Sequence, residues 1–324
     1  MTATLSERMM KPLRIGSRPS KLALIQAEMV RAAIAAAAPG LAIEVVAIKT
    51  SGDKILTPSL ADVGGKGLFI KELEQALTER RIDIAVHSMK DLPAVLPPQF
   101  RIVATPQRDN PHDALISSNG ARLKDLPKGA RLGTSSPRRK FEALRINPHL
   151  EVLPLRGNVD TRVASLQSGK MDAIILAMAG LKRLGKLLDL AYEELDERDF
   201  VPAAAQAALA IEALVDGKIC GTDDVEGAVA SLNHPATACE TAAERAFLAS
   251  IHASCVTPVG VKATLIGERL DMRAILFSAD GARELTDEVS APIAALDVSG
   301  AARLGESLGA KMIARGARLL LDGS

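Results

Sequence analysis

Lys90 and Asp91 stand side by side in a 324-residue chain, within the run His87 Ser88 Met89 Lys90 Asp91 Leu92 Pro93. A fixed cation beside a carboxylate can hold an anion, steady a developing positive charge or relay a proton. The preceding Ile82 Asp83 Ile84 Ala85 Val86 reads as a buried strand, and in an open α/β sheet ligands bind beyond the carboxyl ends of strands. For these two residues alone, a solvated ion pair in a loop is an equal reading. Three further segments tip the balance: Gly64 Gly65 Lys66 Gly67 Leu68 Phe69, Gly133 Thr134 Ser135 Ser136 Pro137 Arg138 Arg139, and Leu155 Arg156 Gly157 Asn158 Val159. Each reads as a strand-to-helix turn, where free backbone N–H groups, the helix dipole and a Lys or Arg together suit a carboxylate or phosphate. With Arg18, Arg162 and Arg183 added, the pattern predicts many cations gathered on one polyanion.

That polyanion should be small. Forty Lys and Arg against 39 Asp and Glu give a net charge of +1, which argues against a nucleic-acid polymer, and the absence of Trp with one Tyr and six Phe removes the stacking platforms of single-strand binders. Met1 to Arg14 has no apolar signal region and no stretch is long and apolar enough to span a membrane, so a cytoplasmic protein with no membrane partner, and a monomer, is expected. Ala32 to Ala38 reads as amphipathic helix ended by Pro39 and Gly40. Cys220, Cys239 and Cys255 are odd in number and widely spaced, which suits neither a disulfide framework nor a metal site.

The elements that must position these groups alternate. Strand Leu13 to Gly16, helix Ser20 to Ala37, strand Ala42 to Lys49, a loop through Pro58 and Gly64, helix Lys66 to Arg80 and strand Ile82 to Val86 form a βαβαβ unit with a parallel sheet. Arg101 to Thr105 continues it, and Pro106 to Pro111 reads as a crossing between domains. A second unit follows: strand Leu132 to Thr134, helix Ser136 to Ile146, strand Leu150 to Leu155, helix Asn158 to Ser168, strand Ala173 to Ala177. The last third predicts helix Thr237 to Ser250, strands Val259 to Ile266, Leu270 to Phe277 and Glu284 to Ser290, and a closing helix Ala294 to Leu321. Two α/β lobes with facing anion-binding turns would make a hinged clamp. No exact internal sequence repeat is visible.

Taken in series, Arg14 to Ser20, Gly64 to Phe69, Ala85 to Asp91, Gly133 to Arg139, Leu155 to Thr161, Ala173 to Gly185 and Cys255 Val256 Thr257 Pro258 resemble the porphobilinogen deaminase (hydroxymethylbilane synthase) family over nearly the whole chain. The resemblance implies two periplasmic-binding-like α/β lobes plus a small C-terminal α+β domain: residues 1–106 with a return at about 207–228, residues 107–206, and residues 229–324. It implies a transferase of tetrapyrrole biosynthesis that condenses four porphobilinogen molecules into hydroxymethylbilane with release of ammonia, on a dipyrromethane cofactor linked to Cys255. Asp91 is then the catalytic residue, its carboxylate stabilising cations that form when ammonia leaves the substrate. Lys90, Thr134, Ser135, Ser136, Arg138, Arg139, Arg156 and Arg162 would hold the cofactor, and Arg18, Ser20, Lys66, Arg183 and Gln206 the substrate. Arginine suits this task, since each pyrrole carries two carboxylates.

The chain departs from the family's pattern at Ala205 Gln206 Ala207, where Gly-Gln-Gly is usual, and at Ala210, His112 and Ala253. The alanines are expected to be tolerated because the backbone there has settled into right-handed or extended conformation. A non-catalytic two-lobe anion binder and a degenerate paralogue are the alternatives to the enzyme; a covalently loaded Cys255 separates them.

Overall fold

A computed structural model describes residues 11–49, 70–254, 256–293 and 297–321. Three sheets organise them. Lobe 1 begins with β1 (Leu13–Ser17), α1 (Lys21–Ala37), β2 (Ile43–Ala47), α2 (Lys71–Thr78), β3 (Ile84–Ser88) and β4 (Phe100–Ala104). Lobe 2 comprises β5 (Asp113–Ser117), β6 (Arg131–Gly133), α3 (Pro137–Ile146), β7 (Glu151–Leu153), α4 (Val159–Gln167), β8 (Ala173–Ala177), α5 (Met178–Arg183) and β9 (Tyr192–Leu195). The chain then returns to lobe 1 as β10 (Leu209–Leu214) and α6 (Asp223–Ala230) before α7 (Pro235–Ser250), β11 (Val259–Ile266), β12 (Arg269–Phe277), β13 (Glu284–Pro292), α8 (Val298–Ala314) and α9 (Ala317–Leu321).

The strand orders are β2-β1-β3-β10-β4 in lobe 1 and β7-β6-β8-β5-β9 in lobe 2. Neither sheet is wholly parallel, as alternation alone predicts. β10 runs antiparallel to β3 and β4, and β5 antiparallel to β8 and β9. The cause is topological: each of these strands enters its sheet from the other lobe and so arrives at the opposite end. The remaining strands keep the parallel βα order, which leaves the β1–α1, β3, β6–α3 and β7–α4 turns at carboxyl ends of strands.

Buried aliphatic side chains fill each sheet's faces: Leu13, Ile15, Ile34 and Ile84 in lobe 1, Leu115, Leu132 and Ile175 in lobe 2. The C-terminal domain packs α7 and α8 on the β11-β12-β13 sheet around Phe247, Leu276 and Leu308. The helices can approach because Gly305 leaves no room for a Cβ against the Ala243 carbonyl. The single closing helix expected from the sequence is broken at Gly316, whose φ of 97° is left-handed, into α8 and α9.

Two crossings join the lobes, and the C-terminal domain grips both. Arg108, on the first, donates bidentately to the buried Glu244 of α7 at 2.7 and 3.1 Å and through Nε to the Gln206 carbonyl at 2.8 Å. Glu244 also accepts from the backbone N–H of Ala205 on the second crossing, at 2.5 Å, and of Ala263 on β11, at 2.9 Å. One carboxylate therefore ties three segments together, each donor offsetting the cost of burying its charge.

The second crossing overturns one expectation. Ala205 has φ 55° and Ala207 φ 74°, left-handed backbone rather than right-handed or extended; only Ala210, inside β10, is extended. The crossing must reverse within a few buried residues, and Glu244, the Arg183 side chain and the sheet fix its amides and carbonyls, so alanine takes the conformation glycine would adopt freely.

Candidate active site

Met89–Asp91 form one 3-10 turn at the carboxyl end of β3. Met89 and Leu92 are buried beside Ala205, Ala208 and Ala210, and the Met89 N–H donates to the Ala208 carbonyl at 3.0 Å. These two apolar anchors turn the intervening Lys90 and Asp91 toward the space between the lobes: both residues keep solvent exposure, while protein atoms of both lobes crowd around the Lys90 ammonium. The Lys90 ammonium reaches back to the Gln206 side-chain oxygen at 3.2 Å. Burial around that ammonium pushes its pKa down to about 8, with the Arg139 guanidinium adding to the effect and Asp91 opposing it.

Across from this turn lies Asp113, the first residue of β5 and fully buried. It accepts from Arg138 Nη2 at 2.7 Å, from Arg139 Nε and Nη2 at 3.1 and 2.6 Å, and from Gln206 Nε2 at 3.1 Å. Burial works to raise its pKa, yet the two guanidiniums hold it well below the usual carboxylate range. Arg138 also donates to Glu142 and to the Val201 carbonyl, each at 2.8 Å, while Arg139 donates to the Ile175 carbonyl at 3.1 Å. Burial pushes the Glu142 carboxyl up to about 7 against the pull of Arg138. Expected as open carboxylate ligands, Arg138 and Arg139 are instead 4% and 7% exposed and committed to Asp113. With Glu142 neutral this cluster carries one excess positive charge, which is lost as Glu142 ionises.

The other cations are less engaged. Arg162, on α4, bonds the Gly157 carbonyl through Nε at 2.9 Å, and burial together with Arg139 pushes its pKa down to about 10. Arg183, at the end of α5, reaches over to the Ala207 carbonyl at 2.6 Å; its buried Nε has no acceptor among the described residues and burial lowers its pKa. Arg156 is exposed after β7. Arg18 follows β1, and Ser20 caps α1 by accepting from the Ala23 N–H. Ser136 caps α3 in the same way, Thr134 accepts from the Ser136 N–H, and Ser135 donates to the Leu155 carbonyl. Their hydroxyls thus build the turn first, with one hydrogen-bonding function each left over. Lys66 and Cys255 lie outside the described residues.

Gln206, expected to contact substrate, is 1% exposed and spends both amide hydrogens on Pro111 O, at 2.7 Å, and Asp113. Its bonds connect Lys90, the first crossing and Asp113. Asp113, Glu142, Arg108 and Glu244 escaped sequence reasoning; the one available signal was an aspartate opening the apolar run Ala114 Leu115 Ile116, because a buried acid demands cations and Arg138 Arg139 is the adjacent pair in reach.

A family model described as porphobilinogen deaminase, dipyromethane cofactor binding domain, matches residues 13–220, and one described as porphobilinogen deaminase, C-terminal domain, matches residues 238–314. This chain belongs to the porphobilinogen deaminase family. Relatives bearing that name include one from Geobacter metallireducens, 42% identical over 96% of this chain and 94% of its own, and one from Chromobacterium violaceum, 44% identical over 96% and 97%. A third, from Roseiflexus, is 47% identical over 84% and 88%. Among solved structures, the Lactococcus lactis GlnP substrate binding domain 2 aligns over 70% of this chain and 91% of its own at 12% identity and a TM-score of 0.41. Family membership makes the lysine–aspartate turn and the guanidinium cluster parts of an enzyme, and the family model's cofactor domain spans both of them.

The cations fit such a group. Among the described residues Arg183 Nε is a buried donor without an acceptor and Arg156 has no acceptor, while Arg162 is desolvated beside another cation. Unsatisfied guanidinium donors are what the carboxylates of an oligopyrrole would complete. Among the described residues no group of His, Cys, Asp and Glu is placed to hold a metal ion, and no helix is long and apolar enough to cross a membrane.

Proposed function

We infer that the chain condenses four porphobilinogen molecules into hydroxymethylbilane with release of ammonia, primed by a dipyrromethane bound covalently at Cys255. The observation that carries this reading is the Lys90–Asp91 turn of lobe 1 facing the Arg138–Arg139–Asp113 cluster of lobe 2, within a chain of the porphobilinogen deaminase family. Bound, the cofactor supplies a pyrrole carbon that attacks the incoming unit.

The chain's own residues have separable tasks. Asp91 presents a carboxylate on a rigid turn, placed to stabilise positive charge that develops on the substrate as ammonia departs and to accept the proton lost when the ring regains aromaticity. Because Asp91 is set on the turn by the buried Met89 and Leu92, the charge is preorganised and needs no rearrangement during the reaction. Arg156, Arg162 and Arg183, with Arg18 and Lys66, offer donors to the acetate and propionate groups, and Thr134, Ser135, Ser136 and Ser20 their remaining hydroxyl functions. Arg138 and Arg139 act chiefly by charge, since Asp113 fixes their direction. A cytoplasmic monomer completes the proposal and is checked by sedimentation of the purified protein.

Intact mass decides the central claim. The purified protein should exceed its sequence mass by one dipyrromethane, and Cys255→Ser should abolish the increment together with turnover. An active enzyme of unmodified mass would overturn the reading.

A further inference from the structure

Gln206 sits where the two lobes meet and touches both halves of the candidate site. Its side-chain oxygen accepts from Lys90, which adjoins Asp91 in lobe 1; its amide nitrogen donates to Asp113, which holds Arg138 and Arg139 in lobe 2, and to the Pro111 carbonyl on the other crossing. Both amide hydrogens are thereby spent on acceptors, so the amide cannot flip without placing its oxygen against a carbonyl and a carboxylate. Gln206 is 1% exposed, and its bond to Asp113 is fully buried, so that bond has no water to replace it.

We propose that Gln206 is a positioning residue: by bridging Lys90 to Asp113 it sets the Asp91 turn and the Arg138–Arg139 pair in one fixed relation across the hinge. The bridge is short, uncharged and rigidly oriented, so a rotation of one lobe against the other must break or carry it. The ion pairs beside it make the relation directional. Asp113 is held by two guanidiniums and cannot follow Lys90, so it is the lysine and its turn that Gln206 holds in place. The proposal rests on the assignment of Asp91 and the arginines as site residues.

The test is a double-mutant cycle on cofactor-loaded enzyme, read by single-turnover rate. Gln206→Met keeps the side chain's length and removes its polar atoms; Lys90→Met removes the group it holds. Each single change is expected to slow turnover by roughly 10-fold or more, and the double to be no slower than the worse single, because the second change removes a bond already lost. Strict multiplication of the two effects would overturn the proposal by showing Gln206 to be structural only.

Gln206→Asn gives a second reading if the methionine variant folds poorly. The shorter amide withdraws the acceptor from Lys90, leaving its ammonium among Asp91 on its own turn, Asp113 on β5 and Arg138 and Arg139 on α3, the charged groups that face it among the described residues. Loss of the acceptor disfavours the ammonium, so the alkaline limb of the rate profile should move to lower pH; an unchanged limb would overturn the bridge to Lys90. Asp91→Asn in the same assay separates the two levels: if it turns over normally the site assignment fails, and if it is inactive while the cycle is multiplicative only the coupling fails.

Discussion

In lobe 1, Arg14 is the second residue of β1, and its backbone N–H and guanidinium close on Asp83 just before β3; in lobe 2, Arg131 opens β6 and does the same to Asp172 just before β8. Six residues beyond each aspartate comes a buried methionine, Met89 or Met178, and nine beyond it a buried leucine, Leu92 or Leu181. Both methionine N–H groups are pinned to a crossing strand, at Ala208 O and His112 O, each at 3.0 Å. The helix after the first strand is capped by serine in both lobes, Ser20 and Ser136. The frame is one device used twice. What differs is the pair between the methionine and the leucine: Lys90 Asp91 in lobe 1, Ala179 Gly180 in lobe 2. Lobe 2 carries its charge instead on α3 and α4, as guanidiniums. A shared scaffold thus holds a carboxylate that can act on a reacting centre in one lobe and cations that can hold anions in the other.

The sharpest way to break this division is to exchange its defining residues. Asp91→Asn should retain fold and substrate binding and lose turnover by roughly two to four orders of magnitude, the span of a positioned acid–base or electrostatic group. At the matching position of lobe 2, a Cβ on Gly180 would meet Leu22 of α1 no closer than 3.7 Å. Gly180→Ala should therefore change the rate by no more than about twofold. Comparable losses in the two variants, read by single-turnover kinetics on fully loaded enzyme, would show that the turns are not functionally distinct.

Asp113→Asn attacks the other half. It would leave Arg138 buried against Glu142 alone and Arg139 with the Ile175 carbonyl but no carboxylate among the described residues, and breaking a buried ion pair on one side costs about 3 to 5 kcal/mol. Urea unfolding should register that loss, and an equal loss from Lys90→Met, whose partner is an uncharged amide, would contradict it. The pH dependence has a definite sign. Asp113 has a folded-state pKa below its unfolded value, so its contribution is present above about pH 4 and declines as pH falls below that. Wild type should lose stability over that acid range and Asp113→Asn should lose less.

Much of this was legible in the chain and the remainder was hidden for physical reasons. Apolar runs and caps located β1 to β4, β6 to β8 and α1 to α4, because βα alternation and helix N-caps are local signals. The duplicated frame was not legible: its matching residues are single Arg, Asp, Met and Leu positions scattered among unrelated neighbours, so no repeat registers although the geometry is repeated. The antiparallel β5 and β10 were missed because strand direction depends on which lobe the chain has just left. At the site, Lys90, Asp91 and the arginine pair announced themselves by charge at strand ends. Asp113 did not, and Gln206 was named only through the family resemblance and as a substrate ligand, since their connecting roles come from partners 25 to 116 residues distant in sequence.

A smaller effect separates the crossings. The first carries no residue with left-handed backbone other than glycine, whereas Ala205 and Ala207 on the second do. Left-handed alanine costs about 1 to 2 kcal/mol, and glycine returns about 0.4 to 1 through the entropy of the unfolded chain, so Ala205→Gly should gain on the order of 0.5 to 1 kcal/mol. A calorimetric melting temperature a few degrees higher is the expected outcome. If the melting temperature fell, the alanine would be unstrained and the second crossing no tighter than the first.

The finest distinction concerns the frame itself. Arg14–Asp83 and Arg131–Asp172 have the same bonds, but the side chains are 30% and 12% exposed in lobe 1 against 39% and 38% in lobe 2. Solvent screens the second pair more strongly, so Asp172→Asn should cost less than about 1 kcal/mol and Asp83→Asn more than Asp172→Asn does. Hydrogen bonds from Arg131 hold the Asp172 pKa at about 2, below its unfolded value; its contribution is present above about pH 4 and is lost as pH falls toward 2. Raising salt at neutral pH should shrink the Asp172 effect more than the Asp83 effect, because the Asp83 carboxylate is less exposed to counterions. Equal losses with equal salt dependence in parallel urea titrations would mean that burial does not distinguish the two copies, and that the lobes differ only where their site residues do.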